Sequence, residues 1–236
     1  MPPRPMPTHF LCIPLSSPQL TRSLASFKTD ITAPHSSAVP ESAVRPPGTV
    51  HLTLGVMTLK DEVLTQAVST LRGLSLKAVL EEARANPATE AAVELGSPMP
   101  SLDQKLQVTL KGIQPLQPPA QCRVLYAPPI DPSGLLRRFC ELVRGRFASF
   151  MSAEELARPL LLHATVVNTI YVKGIGKSKG RTTIDARDIV GRYEDEVWME
   201  GMDVDRVALC RMGAKAVEGS DGDMVYEVEA EVRVED

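Results

Sequence analysis

Residues 50–57 read VHLTLGVM and residues 160–171 read LLLHATVVNTIY: two apolar runs of strand-forming composition, each carrying one His-x-Thr triplet. Successive side chains of a strand point to opposite faces, so His51 and Thr53 project together while Leu52 and Leu54 turn away. His163 and Thr165 repeat this against Ala164 and Val166. A buried polar group without a partner costs about 1–3 kcal/mol. Four such groups in two core-type strands therefore need a reason. One is that each imidazole is satisfied by a nearby carbonyl and each Thr is there for its β propensity. Two copies in matching contexts favour the other, a shared site.

The contexts do match. Residues 8–15 (THFLCIPL) form a compact strand ended by Ser16, Ser17 and Pro18, and Leu20, Leu24 and Phe27 mark a helix over 19–29. A Pro- and Ser-rich loop, 33–48, leads to the first motif. In the second half, 122–127 (CRVLYA) is a strand, Asp131-Pro132 starts a helix with Pro at its first position, and Leu136, Phe139, Cys140, Val143 and Phe147 form its core stripe. Residues 8–57 and 122–171 thus both run strand, helix, strand, a weak internal repeat that predicts a duplicated α+β domain with a pseudo-two-fold axis. Between the repeats lie a helix over 60–72 that restarts after Gly73, a punctuated loop over 86–101, and a strand over 106–113. After them come a helix near 185–193 and two strands, 204–212 and 225–234, with Trp198 ahead of the first as a core residue.

The 236 residues are 43% hydrophobic and 23% charged, ordinary for a globular protein, and only 4% aromatic, so base-stacking platforms cannot be numerous. The net charge of −3 gives no global footprint for nucleic acid and directs any such contact to a groove or loop, which suits RNA ends or small nucleotides. Cys12, Cys122, Cys140 and Cys210 form no Cys-x-x-Cys pair and read as reduced buried thiols of an intracellular protein, nuclear or cytoplasmic. The apolar run 10–15 is too short for a membrane span or signal core.

Two imidazoles with an ordinary pKa of about 6.5 can divide phosphodiester cleavage, one taking a proton from the attacking oxygen and one giving a proton to the leaving oxygen. Threonine hydroxyls can hold the non-bridging oxygens as charge builds. No metal or other cofactor is required, and no third ligand at zinc spacing accompanies the pair. Lesser candidates for substrate contact are Phe10 and Tyr171, as base-stacking rings or as packing residues, and the basic loop 173–181 (KGIGKSKGR), whose Lys173 and Arg181 would guide a polyanion. That loop is no P-loop, because position 171 is Tyr where a glycine is needed. His9 is placed at the groove rim or in a structural role, and His35 in solvent.

The strings PTHFLCIPL, HLTLGVM and LLHATVVNT, with VLYAPPID before the long helix and the segment 181–193, resemble the 2H phosphoesterases. Within them the resemblance is to the branch that holds the phosphoesterase-like domains of the activating signal cointegrator complex small subunit and of a related kinase-anchoring protein. The resemblance runs from Thr8 to the last strand. It implies one bilobal domain over 1–236, two antiparallel sheets with outer helices around a central groove, lobes that exchange strands, and a flexible tail at 1–7. His51, Thr53, His163 and Thr165 would line the groove. The implied activity is hydrolysis of a 2′,3′-cyclic phosphate or a 2′,5′-linked bond, with protein partners in a transcription or RNA-processing complex. A KH RNA-binding module precedes this domain in the cointegrator subunit, and no GXXG-type loop precedes Thr8, so the chain reads as the catalytic-type domain alone. A nucleotide- or RNA-binding module without turnover, and RNA end-joining, are the alternative readings.

Overall fold

The computed structural model describes residues 6–85, 105–172, 182–220 and 222–234. The apolar run after Thr8 is strand β1 (His9–Pro14). Ser17 then caps helix α1 (Pro18–Thr32): its hydroxyl accepts from the Leu20 amide at 3.0 Å, and Pro18 fills the first turn, where no N–H is needed. The helix buries Leu20, Leu24, Phe27 and Ile31. Strand β2 (His51–Met57) returns antiparallel to β1, followed by α2 (Asp61–Arg72) and α3 (Leu76–Ala85). The second half contributes β3 (Gln107–Lys111), β4 (Gln114–Pro115), β5 (Val124–Ala127), β6 (Pro129–Ile130), α4 (Leu135–Arg146), the short α5 (Ala153–Leu156), β7 (Ala164–Asn168), α6 (Arg187–Arg192) and β8 (Val197–Asp203). Strands β9 (Arg206–Arg211), β10 (Lys215–Ala216), β11 (Met224–Val225) and β12 (Val228–Arg233) complete the chain.

The fold is α+β with antiparallel sheets, as expected. Its two lobe sheets meet, however. One sheet runs β12-β9-β1-β2-β7-β5-β4, and β2 and β7 touch through a single pair, Leu52 with Ala164. A three-stranded sheet, β6-β3-β8, and a ribbon, β10-β11, stand apart. The late strands β9 and β12 lie in the half that holds the first motif, because β9 pairs with β1. Leu11, Ile13, Leu52, Leu54, Leu125, Val166 and Val167 belong to the core on which the helices pack.

Three readings shift. The long strand predicted over 160–171 is cut to Ala164–Asn168: it ends where the Asn168 side chain accepts from the Ile170 amide at 3.1 Å and starts a tight turn, and it begins one residue after His163, which sits just ahead of it. Asp131 does cap a helix, accepting from the amides of Leu136 and Arg137, but α4 begins at Leu135 after Gly134, whose φ of 69° suits glycine, so Pro132 is not its first residue. Trp198 lies inside a strand, fully buried, with Nε1 donating to the Gly112 carbonyl at 2.7 Å.

Each motif strand contains a bulge at the same place. Leu11 pairs with Gly55 and Cys12 with Thr53, leaving Leu54 over; Leu125 pairs with Val167 and Tyr126 with Thr165, leaving Val166 over. From His51 to Val56 and from His163 to Asn168, burial runs in one order: part-exposed, buried, part-exposed, buried, buried, part-exposed. Bulges bend a strand and re-aim its side chains. Here both follow a motif threonine directly.

Candidate active site

In an antiparallel pair the residues flanking a bridge face each other on one side of the sheet. With Leu52 opposite Ala164, that register sets His51 against Thr165 and Thr53 against His163. The structure thus brings all four motif residues to the centre of the large sheet, where its two halves join. Neither threonine hydroxyl has a hydrogen-bond partner among the described residues.

The two rings are anchored alike. His51 Nδ1 lies 2.8 Å from the carbonyl of Thr49 and His163 Nδ1 lies 2.7 Å from that of Leu161, each two residues upstream. A carbonyl only accepts, so Nδ1 carries the proton and Nε2 is left as lone pair or, when charged, as donor. Aromatic rings hold both in place. Phe10 packs on His51 at 4.7 Å between centroids, Tyr226 meets it edge-on at 5.4 Å, and Tyr126 meets His163 at 5.5 Å.

His51 is part-exposed by surface but closely surrounded by protein, and its pKa is pushed down to about 4 by burial, with the Arg45 guanidinium and His163 adding to the shift against the Thr49 carbonyl. At neutral pH His51 is an uncharged imidazole. Beside it a pocket of about 170 Å³ is bordered by Cys12, Thr49, Arg206, Cys210, Tyr226 and Glu231.

The other predicted contacts fall unevenly. Phe10 is 2% exposed with its ring under His51, so it has no free face for a base; as a base-stacking residue it is corrected to a packing one. Tyr171 is 40% exposed at the end of the turn after β7. Lys173 and Arg181 lie outside the described residues. His9 is buried against Thr8 and Glu229 rather than at the rim, and His35 is exposed.

Two residues escaped the sequence reading. Arg45, in the Pro-rich loop before β2, is 5% exposed, stacks on Tyr171 at 3.9 Å, and donates from Nη2 to the Tyr226 hydroxyl at 3.4 Å. Tyr226 lies between β11 and β12. The only hint in the sequence was one arginine ahead of Pro46-Pro47. Among the described residues no group of three or more His, Cys, Asp or Glu is arranged to hold a metal, and no helix is long and apolar enough to cross a membrane.

The chain belongs to the AKAP7 2′5′ RNA ligase-like domain family, whose model matches residues 7–234, and through it to the 2H phosphoesterase superfamily. An uncharacterized protein of Schizosaccharomyces pombe is 26% identical over 220 residues, covering 92% of this chain and 91% of that protein. Among solved structures, TT0787 of Thermus thermophilus is similar at a TM-score of 0.51 and 15% identity, covering 96% of this chain and 97% of that one. Escherichia coli LigT complexed with 3′-AMP is similar at 0.50 and 14%, covering 98% and 99%. A further phosphoesterase is similar at 0.50 and 15%, covering 97% and 98%. At these identities the structures establish a shared fold.

Proposed function

We propose that this protein is a metal-independent phosphodiesterase of RNA ends or small nucleotides, cleaving a 2′,3′-cyclic phosphate or a 2′,5′ linkage with His51 as general base and His163 as general acid. The observation that carries the reading is the paired anchoring of the rings, each Nδ1 on a carbonyl two residues back, which leaves two equivalent Nε2 atoms for proton transfer. The uncharged state of His51 suits it to accept a proton, which leaves the donor's part to His163.

On a 2′,3′-cyclic phosphate, His51 Nε2 takes the proton of an attacking water as its oxygen bonds to phosphorus. The bond from phosphorus to one ribose oxygen breaks, and that oxygen takes the proton from His163 Nε2. Thr53 and Thr165 donate to the non-bridging oxygens, where charge grows in the transition state. LigT, which shares the fold, was crystallised with 3′-AMP, a ligand compatible with this substrate class. Tyr171, Lys173 and Arg181 are assigned to the substrate's base and backbone. Partners in an RNA-processing or transcription complex, and a place inside the cell, belong to the same reading.

His51→Ala and His163→Ala, assayed on RNA ending in a 2′,3′-cyclic phosphate with chelator present, are expected to lose about 10²–10⁴-fold in kcat each. Full activity in both variants would remove the acid/base assignment, and activity abolished by chelator in the parent protein would remove metal independence.

A further inference from the structure

Among the described residues two arginines are buried, and they are treated differently. Arg144 reaches the Glu155 carboxylate at 3.9 Å and the carbonyls of Glu155 and Arg158. Arg45 has no carboxylate within ion-pair distance among the described residues; its neighbours are the face of Tyr171 and the hydroxyl of Tyr226. A guanidinium stays charged at every physiological pH. Buried charge without a counter-charge is costly, so a site that keeps one is short of an anion.

The backbone fixes where that anion would lie. The bulge after Thr165 frees the Val166 carbonyl, which accepts from the Arg45 amide at 2.8 Å, and Val44 bridges to Val167. Arg45 is thereby pinned next to the second motif while its field reaches His51 of the first. Tyr226 touches both: its hydroxyl takes the Arg45 contact and its ring meets His51. We propose that Arg45 is a phosphate-binding residue of this groove, its guanidinium fixed by Tyr171 and Tyr226 so as to hold the anionic group of a nucleotide seated between the two histidines. The remaining face of Tyr171 then lies beside the bound nucleotide, which places a nucleobase against a ring already backed by a cation. This rests on the groove being a phosphate site, but binding and turnover test the two separately.

The experiment is calorimetric binding of 3′-AMP and of adenosine to the parent protein, Arg45→Gln and Arg45→Lys. The parent is expected to hold 3′-AMP more tightly than adenosine, with Arg45→Gln about tenfold or more weaker for 3′-AMP, little changed for adenosine, and Arg45→Lys in between. Because Arg45 also lowers the His51 pKa in the empty groove, the acid limb of the pH–rate profile of Arg45→Gln moves to higher pH as well, and the loss specific to 3′-AMP, partly restored in Arg45→Lys, is what sets ligand contact apart from a structural role. If Arg45→Gln does not fold, Tyr226→Phe and Tyr171→Leu loosen the clamp, and weaker 3′-AMP binding in both is expected. Equal parent affinity for the two ligands, or 3′-AMP affinity indifferent to every folded variant, overturns the proposal. Arg45-dependent binding without turnover of any cyclic phosphate leaves it standing and removes the hydrolase reading instead.

Discussion

His51 holds its unusual state against the groove it faces, and that has consequences for both rate and stability. The unfolded imidazole titrates near 6.5 and the folded one near 4, so between these values the unfolded chain binds more protons. Stability is unaffected by His51 above about pH 6.5 and falls as the pH drops from there toward about 4. Urea midpoints at neutral pH and at pH near 4.5 are expected to differ less in His51→Asn, which has no such proton to bind, than in the parent; equal pH dependence would count against a buried neutral ring. The acid limb of kcat/KM in the parent should have its midpoint near 4. A limb near the ordinary imidazole value would return His51 to a solvent-like setting.

At the scale of the elements, the bulges do the positioning. They turn two consecutive residues, Leu54 with Gly55 and Val166 with Val167, into buried ones directly after each motif. At Gly55 an added Cβ would lie 2.2 Å from Cε of Met151, a buried side chain packed against that strand. Gly55→Val is therefore expected to lower stability by about 1–3 kcal/mol through overpacking, read as a lower urea midpoint. An unchanged midpoint would mean that Met151 swings aside freely. Strand alternation was enough to put His51 with Thr53 and His163 with Thr165, and the repeat was enough to pair them. Neither could reveal the bulges, because HLTLGV and HATVVN read as plain alternation up to the threonine and as two successive residues without a polar side chain after it. Arg45 was illegible for another reason. It lies in a loop of Pro and Ser that reads as a connection, and its importance depends on a carbonyl of β7 and a tyrosine near the other end of the chain.

Over the whole molecule, a net charge of −3 goes with a buried cation that the proposal above assigns to a small anion rather than to a long polyanion. The strands of the half that holds His163 all come from between Gln107 and Asp203, whereas the sheet around His51 needs β1 and β2 from the start of the chain and β9 and β12 from its last turns. A chain stopped after Asp205 is expected to protect β5 and β7 from hydrogen exchange while leaving β1 and β2 unprotected; protection of all four would show that the first motif needs no late strands. During synthesis, then, His51, the first of the two motif histidines to leave the ribosome, is the last to receive its walls. A message cut short before Tyr226 yields a protein whose sheet around His51 is incomplete, with no tyrosine to brace that ring or hold Arg45.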